Sequence, residues 1–509
     1  MSITLTARNF GPITNGTVTL LPFNVFIGAN NTGKSFMSTL IYASQINRRG
    51  FRYSVGKFFQ PAPPMRIDPQ LASAIRTHVT RFLKARDPDL RNVFTKAPKP
   101  VKDALAELIR LDLLTYSQTV SSELERCLGG TINDLVRVGR ARQTPMQLLI
   151  ASENPSWTVR ISCDDGEVMH EVLRMPTRTE LIKQANTAAL EVMASFFSTE
   201  QEEDPVEYLL AHTMWIREIS DDVAATFVRA ISSQLGLYIY LGFPMNRHYL
   251  PAARSGIMQS HKSLAEFLVR SAPLVGLQQM SIPQLSGIVT DFISQLLNLD
   301  FERRHIRTES QLEAVARSLE HGVLHGNISI RAEPNTYPEI LYRSGELEAP
   351  LVRLSSMISE LAPVVLYIRY VLSSGSHLII EEPEAHLHPQ SQREFARALA
   401  SLRAAGVDIT LTTHSDYLLT EINNLIRVGS IAEAEGKGEH GIASIPYTCV
   451  AAYLFRASET HGGTTIRRLS ISEKDGIPDE EFGKVAEAIY NDAADLGYRL
   501  IRVGTDKDG

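Results

Sequence analysis

Apolar and polar residues alternate near the start of the chain, and this pattern predicts strands. Around Leu5 and again around Val18, apolar side chains stand at every second position, as they do in half-buried strands. Residues 23–27 are largely apolar and are followed at once by a glycine-containing loop, whereas the apolar residues of 36–46 have helical spacing. The pattern therefore predicts two outer strands, a buried strand, a loop and a helix in direct succession.

The sequence pattern changes between about Gly50 and about Asn335, where helical segments are predicted and prolines interrupt them. Within this stretch, residues 148–173 predict a β-hairpin. After Asn335, strand and helix patterns alternate, as they do in parallel β-α-β units. The elements predicted there are the strand 339–342, the helix 356–372, the strand 377–380, the helix 389–404 and the strand 407–412.

These patterns predict an α/β core that is divided in the sequence by a large, mostly helical inserted lobe. The predicted segments are 1–49 and 336–447 for the core, 50–335 for the lobe with its hairpin, and 448–509 for a small α/β tail with two strands and a helix.

Composition is that of a globular protein and excludes several other classes. The chain has 509 residues, of which 44% are hydrophobic and 21% charged, so we expect more than one structural unit. No apolar run reaches the roughly 18 residues of a membrane span, and we expect a cytoplasmic protein with no membrane contact. Three widely spaced cysteines predict neither a disulfide framework nor a zinc site. The net charge of -6 gives no overall attraction to nucleic acid, so any such contact has to be local.

The segment GANNTGKS, between the buried strand and the first helix, matches the P-loop pattern in full. Backbone N–H groups of such a loop surround nucleotide phosphates, Lys34 would reach the β and γ phosphates, and the Ser35 hydroxyl would bind Mg²⁺. ATP and Mg²⁺ are therefore the expected cofactors. The predicted nucleotide-binding residues in this segment are Gly28, Asn30, Asn31, Thr32, Gly33, Lys34 and Ser35.

Candidate catalytic residues follow two of the later strands. Glu381 and Glu382 come directly after the apolar strand 377–380, where a P-loop enzyme needs a Mg²⁺ ligand and a base for the attacking water. We assign Glu381 to the metal and Glu382 to the water. His414, in the segment TTHS after the next strand, would reach the same sheet edge and could donate to the γ-phosphate.

Two further segments carry polar groups whose roles stay open. Ser355, in LSSM, precedes the helix 356–372, and its hydroxyl could bind a phosphate at the helix N-terminus or cap the helix. Arg254 belongs to a Pro-x-x-Arg segment that starts at Pro251. It could reach a phosphate or a neighbouring lobe, but we prefer to interpret it as an ordinary surface arginine.

Four motifs, GANNTGKS, LSSM, IIEEPEAHLHP and TTHS, together resemble those of the ABC-type ATPases that include the RecF and structural-maintenance-of-chromosomes (SMC) proteins. The resemblance is closest to the overcoming-lysogenisation-defect-like group, found as ATPase subunits of bacterial phage-defence systems. It implies an ABC-type P-loop ATPase core in which two copies sandwich ATP, each P-loop facing Ser355 of the other. It also implies that residues 384–388 form a loop at the dimer contact. A metal site formed by Glu384, His386 and His388 is the alternative interpretation.

We therefore expect an ATP-hydrolysing homodimer, or higher homo-oligomer, that regulates an effector protein, in bacterial anti-phage defence. The alternatives are an ATP-regulated metal-dependent nuclease and a DNA-binding clamp of the SMC or RecF kind. A nuclease would draw on Glu473 and on the acids of 506–508, which follow the predicted strands 466–471 and 498–503. The tail has only about 60 residues where such a domain needs about 100, so we expect no nucleic-acid cleavage by this chain.

Overall fold

The computed structural model describes residues 3–45, 69–83, 90–136, 145–197, 239–240, 243–244, 246–260, 285–297, 299, 311–331, 339–435, 443–458, 462–479 and 482–505. The chain divides into two units. The first contains residues 1–20 and 39–247, and the second contains residues 21–38 and 248–509. The four segments predicted from the sequence stay a prediction.

The strands are β1 (Ile3–Phe10), β2 (Ile13–Thr19), β3 (Phe23–Gly28), β4 (Met146–Glu153), β5 (Ser156–Asp164), β6 (Glu167–Arg174), β7 (Asn246–Leu250), β8 (Asn327–Arg331), β9 (Glu339–Ser344), β10 (Leu347–Pro350), β11 (Ser376–Glu381), β12 (Asp408–Thr413), β13 (Val450–Ala457) and β14 (Thr464–Leu469).

The α-helices are α1 (Lys34–Ser44), α2 (Pro69–Leu83), α3 (Lys99–Leu128), α4 (Arg178–Phe197), α5 (Gly287–Leu297), α6 (Gln311–Leu319), α7 (Ser356–Leu366), α8 (Pro389–Ala404), α9 (Asp416–Glu435) and α10 (Phe482–Thr505). Short 3-10 turns lie at Leu90–Asn92, Ile132–Leu135, Leu351–Arg353 and Tyr447–Cys449, and π turns at Glu320–Leu324 and Tyr367–Val371.

In the first unit, five strands form an antiparallel arrangement in the order β6, β5, β4, β1, β2. The hairpin predicted at 148–173 is β4 and β5, but β6 extends it to three strands and β4 also pairs with β1. The sequence signal for β6 is weak because none of its side chains is buried. The predicted hairpin is therefore part of a larger sheet.

In the second unit, the sheet order is β14, β13, β3, β12, β11 and residues 248–250 of β7. Parallel pairing joins β13 to β3, β3 to β12 and β12 to β11, which confirms the predicted β-α-β units around α8. The strand predicted at 466–471 corresponds to β14, which pairs with β13, and these two strands extend the same sheet. Parallel pairing brings the carboxyl ends of β3, β12 and β11 to one edge.

Two predicted strands have a different place or conformation. The strand predicted at 339–342 is β9, which pairs antiparallel with β8 and β10 in a separate three-stranded sheet, because local strand patterning does not specify the partner strand. The strand predicted at 498–503 is wrong, since these residues belong to α10. Ile489 and Leu496, seven positions apart, have the spacing of one helix face.

One apolar core fills the second unit and draws on residues well before Asn335. Leu250, Phe292 and Leu319 belong to the same buried cluster as Val25 of β3 and Leu378 of β11. The ring of Phe292 stacks on that of Tyr367, with centroids 5.6 Å apart. The core that supports the P-loop strand therefore includes helices from the stretch predicted to be an inserted lobe. No helix in the described ranges is long and apolar enough to cross a membrane.

Candidate active site

The P-loop begins at a glycine that the sheet requires. Gly28 pairs with Phe455 of β13, and a Cβ at this position would lie only 2.3 Å from the Phe455 carbonyl oxygen. Its φ of +149° is also unfavourable for other residues. Gly33, with a φ of +87°, then leads into the N-terminus of α1. The loop is therefore held by the strand and helix that the sequence predicts.

Lys34 folds back over the loop. Its Nζ donates to the carbonyl oxygens of Gly28 and Ala29, each at 2.8 Å, and only 6% of the residue is exposed. Burial lowers the pKa of the Lys34 ammonium to about 8. Ser35 and the side chains of Asn30 and Asn31 are exposed, so they are accessible to a ligand.

Glu382 and His414 lie together at the edge where β11 and β12 end. The Glu382 N–H donates to the Thr412 carbonyl oxygen at 3.0 Å, and Glu382 has a left-handed φ of +42°. Nε2 of His414 then lies 3.3 Å from Oε1 of Glu382. The hydrogen bond from His414 lowers the pKa of Glu382, with smaller contributions from the charges of Lys34 and Arg254. The lowered pKa keeps Glu382 in the carboxylate form that a general base requires, and it also makes that carboxylate a weaker base than an isolated glutamate.

Glu384 holds the segment that carries His414. Its Oε1 accepts hydrogen bonds from the Thr413 hydroxyl at 2.8 Å and from the His414 N–H at 2.6 Å. Burial raises the pKa of Glu384. The sequence motif gave no indication of this contact, which joins the ends of two neighbouring strands.

The carboxylate of Glu381 has the features expected of a cation ligand. Glu381 is 9% exposed, and its Oε2 accepts a hydrogen bond from the Ala252 N–H at 3.3 Å. Its Oε1 is buried without a hydrogen-bond partner among the residues that the structure describes. A buried oxygen of this kind requires a partner, and carboxylate and hydroxyl oxygens are ligands that Mg²⁺ prefers. The residues present therefore fit Mg²⁺.

Arg254 is not a surface residue, and that interpretation of the Pro-x-x-Arg segment is wrong. Only 1% of its side chain is exposed, and its Nη2 lies 2.7 Å from Oε1 of Glu360, which is itself buried. Its Nη1 donates to the Glu381 carbonyl oxygen at 2.7 Å, and its Nη2 donates to that of Glu382 at 3.2 Å. Sequence analysis missed Glu360 altogether, because it lies in an apolar helix and matches no motif.

Ser355 stands immediately before α7 and is exposed. It occupies the N-cap position, but its side chain makes no capping hydrogen bond. The structure therefore does not support capping as the role of its hydroxyl.

Residues 384–388 follow the strand end, and Leu387 among them is buried. His386 and His388 are exposed, and Nδ1 of His388 accepts a hydrogen bond from the Gln390 N–H at the start of α8. Across the described ranges, no three or more His, Cys, Asp or Glu side chains are grouped so that they could hold a metal ion. Asp506 and Asp508, considered above for a nuclease, lie outside the described residues.

Part of this site lies in a segment that is similar to a known protein family. Residues 281–419 match the model described as "AAA ATPase domain", and this segment includes Ser355, Glu381, Glu382 and His414. The P-loop precedes the matched segment in the chain and adjoins it through the pairing of β3 with β12. The α/β sheet with parallel β-α-β units predicted from the sequence is confirmed, and the match supports the prediction of an ATPase.

The solved structures that resemble this chain include SMC head domains. One, bound to the C-winged helix domain of ScpA, is 12% identical with a TM-score of 0.39, covering 92% of this chain and 97% of that chain. The SMC head domain from Thermotoga maritima is 9% identical with a TM-score of 0.34, covering 92% and 100%. At these TM-scores the likeness carries no information about function. No curated protein gives a significant match.

Proposed function

We propose that two copies of this chain bind ATP between them, hydrolyse it with Glu382 as the base, and through this cycle control a partner effector protein. The observation that carries the proposal is the contact between Glu382 and His414 at the sheet edge where the P-loop strand also ends. This arrangement supplies a base for water, a donor for the γ-phosphate and the Lys34 ammonium within one site.

Each residue has a distinct chemical task in this proposal. The N–H groups of residues 28–33 and the N-terminus of α1 bind the phosphates. Lys34 moves from its loop carbonyls to the β and γ phosphates, and Glu382 accepts the proton of the attacking water. Ser35 and Glu381 would hold Mg²⁺, which when bound supplies positive charge beside the β and γ phosphates.

Ser355 supports the assignment of two copies to the site. Its exposed hydroxyl stands at the start of α7 and is not used in capping, so it is available to a phosphate. The turn 384–388 beside Glu382 is also exposed around His386 and His388. In the resembling ATPases these two segments meet the nucleotide and the turn of a second copy, and we propose the same arrangement here.

The effector and the anti-phage role rest on the motif resemblance. The P-loop, the signature at Ser355, the paired acids and His414 account for ATP chemistry, and we assign no other catalytic group to the described residues. The resembling ATPases are subunits of bacterial phage-defence systems. We therefore propose an ATPase subunit that switches an effector in bacterial defence.

Sedimentation velocity with and without ATP tests the two-copy site. The Glu382→Gln variant retains the phosphate-binding loop but loses the base, so hydrolysis falls by about 10² to 10⁴ fold, and ATP should shift this variant to a dimer or larger assembly. Lys34→Ala should neither bind ATP nor shift. Glu394→Gln, on the surface of α8, serves as the matched carboxylate control and should behave as the unmodified protein does.

Two results would contradict the proposal. A Glu382→Gln variant that hydrolyses ATP at the normal rate would remove Glu382 from its role. A variant that remains monomeric while saturated with ATP would refute the shared site.

Proteins that co-purify with Glu382→Gln only in the presence of ATP would identify the effector.

A further inference from the structure

The buried guanidinium of Arg254 contacts the main chain where the two paired acids leave their strand. Besides the Glu381 and Glu382 carbonyl oxygens, it donates to the carbonyl oxygen of Pro251 at 2.9 Å. One side chain therefore ties the turn at 251–254 to the end of β11. Arginine is suited to this task, because its planar fork donates in several fixed directions while a lysine ammonium is a point charge.

The main chain at this point has a conformation that needs support. Glu382 has a φ of +42°, and residues other than glycine adopt the left-handed region only when their surroundings hold them there. The Glu382 N–H is bonded to β12 and its carbonyl oxygen to Arg254. The two bonds fix both peptide groups of the residue, and so the direction in which its carboxylate leaves the main chain.

Glu360 connects this arrangement to α7, the helix that begins next to Ser355. Its Oε1 pairs with Arg254 at 2.7 Å, and its Oε2 accepts a hydrogen bond from the Ser255 N–H at 2.8 Å. Both members of the pair are 2% exposed or less. A buried charge pair is retained only where its partners are well placed, so α7 and the end of β11 are held in register through it.

We propose that Arg254 is a positioning residue for Glu382, and that Glu360 ties this positioning to the helix that presents Ser355. Contact of a phosphate with Ser355 would then act, through α7, on the same buried pair that holds the main-chain conformation of Glu382. The inference rests on the proposed function, since Arg254 positions the residue that serves there as the base. Arg254 itself does not touch the nucleotide in this scheme.

Single-turnover hydrolysis and equilibrium ATP binding by Arg254→Lys separate positioning from binding. The lysine keeps the charge beside Glu360 but cannot reproduce the fork. We expect the hydrolysis rate to fall by about tenfold or more while the dissociation constant for ATP changes by less than about threefold. Arg369→Lys is the matched control, because Arg369 is a partly buried arginine paired with Glu313 and Glu320 and has no contact with Glu381 or Glu382 among the described residues. Its rate should stay within about twofold of normal.

A double-mutant cycle shows whether Arg254 acts through Glu382. If it does, adding Arg254→Lys to Glu382→Gln should change the residual rate by less than about twofold, because the group that it positions is already gone. An equal fall in both backgrounds, or an unchanged rate in Arg254→Lys alone, would overturn the inference. Normal turnover by Glu382→Gln would instead refute the proposed function.

Glu360→Gln provides a second measurement if Arg254→Lys does not fold. This variant keeps an acceptor for Arg254 and leaves its bonds to the strand-end carbonyl oxygens in place, but it removes the charge pair. We expect a smaller fall in rate than with Arg254→Lys, and a weaker ATP-dependent shift in sedimentation because α7 is released. A full rate together with a full shift would exclude a role for Glu360 in the coupling.

Discussion

Nε2 of His414 lies 3.3 Å from Oε1 of Glu382, so the imidazole that follows β12 contacts the carboxylate that follows β11. Parallel pairing of Glu381 with Thr412 sets this proximity. The contact lowers the pKa of Glu382 and therefore keeps the proposed base ionised under conditions where an isolated glutamate would begin to take up a proton.

The first prediction is that His414→Ala moves the acid limb of the rate profile to higher pH. Removal of the largest cause of the lowered pKa raises the pKa of Glu382, so the carboxylate is protonated, and inactive as a base, at a higher pH than in the unmodified protein. We also expect the plateau rate to fall by about 10² to 10³ fold if His414 donates to the γ-phosphate. Single-turnover rates from about pH 4 to about pH 8 measure both effects. His321→Ala, which alters an exposed histidine on a π turn, should change neither the acid limb nor the plateau. If the acid limb did not move in His414→Ala, His414 would not set the pKa of Glu382.

The second prediction is that ATP binding weakens as the pH rises through about 8, the pKa of buried Lys34. Phosphates favour the ammonium form, so the complex retains a proton that the free protein loses above this pH, and affinity can fall by up to about tenfold per pH unit. Binding to Glu382→Gln, measured without turnover, gives the profile. In the Glu382→Gln, Lys34→Arg double variant, ATP affinity should not change with pH, because the guanidinium stays charged. If affinity fell with pH equally in both variants, another group would be responsible.

The third prediction distinguishes the two interpretations of Glu384. Glu384→Leu removes the acceptor of the Thr413 hydroxyl and the His414 N–H, and should lower the free energy of unfolding by about 1 to 3 kcal/mol together with the rate. Glu384→Gln retains an acceptor oxygen and should recover most of both. If Glu384 instead held a metal ion with His386 and His388, then Glu384→Gln, His386→Ala and His388→Ala would all lose metal-dependent stability, as seen by adding a chelator.

The fourth prediction concerns the core beneath the site. Phe292 is 1% exposed and stacks on Tyr367, so Phe292→Ala should lower the free energy of unfolding of the ATPase core by about 3 to 5 kcal/mol. The urea concentration at which ATP binding is lost measures this effect on the core itself. Leu347→Ala, at a position with 54% exposure, should leave that concentration unchanged. If Phe292 lay in an independent lobe, its removal would leave the loss of binding unchanged too.

The sequence by itself determines the local parts of this protein. The P-loop, the acids at the end of β11 and His414 after β12 can be predicted because each depends on a strand and the few residues next to it, which are consecutive in the sequence. Helix α8 and the strands on either side of it follow from the same local periodicity. The assignment of catalytic and metal roles to Glu382, His414 and Glu381 remains a prediction that rests on these positions.

Only the tertiary structure decides which distant residues meet. Arg254 and Glu360 form their buried pair across 106 positions, and Glu384 reaches the His414 main chain only because β11 and β12 are neighbours. The pairing of β9 outside the main sheet, and the inclusion of Phe292 in the ATPase core, likewise depend on partners that no local pattern specifies. Burial and hydrogen bonding depend on residues that the fold brings together. The same sequence segment can therefore carry a surface arginine or a buried one.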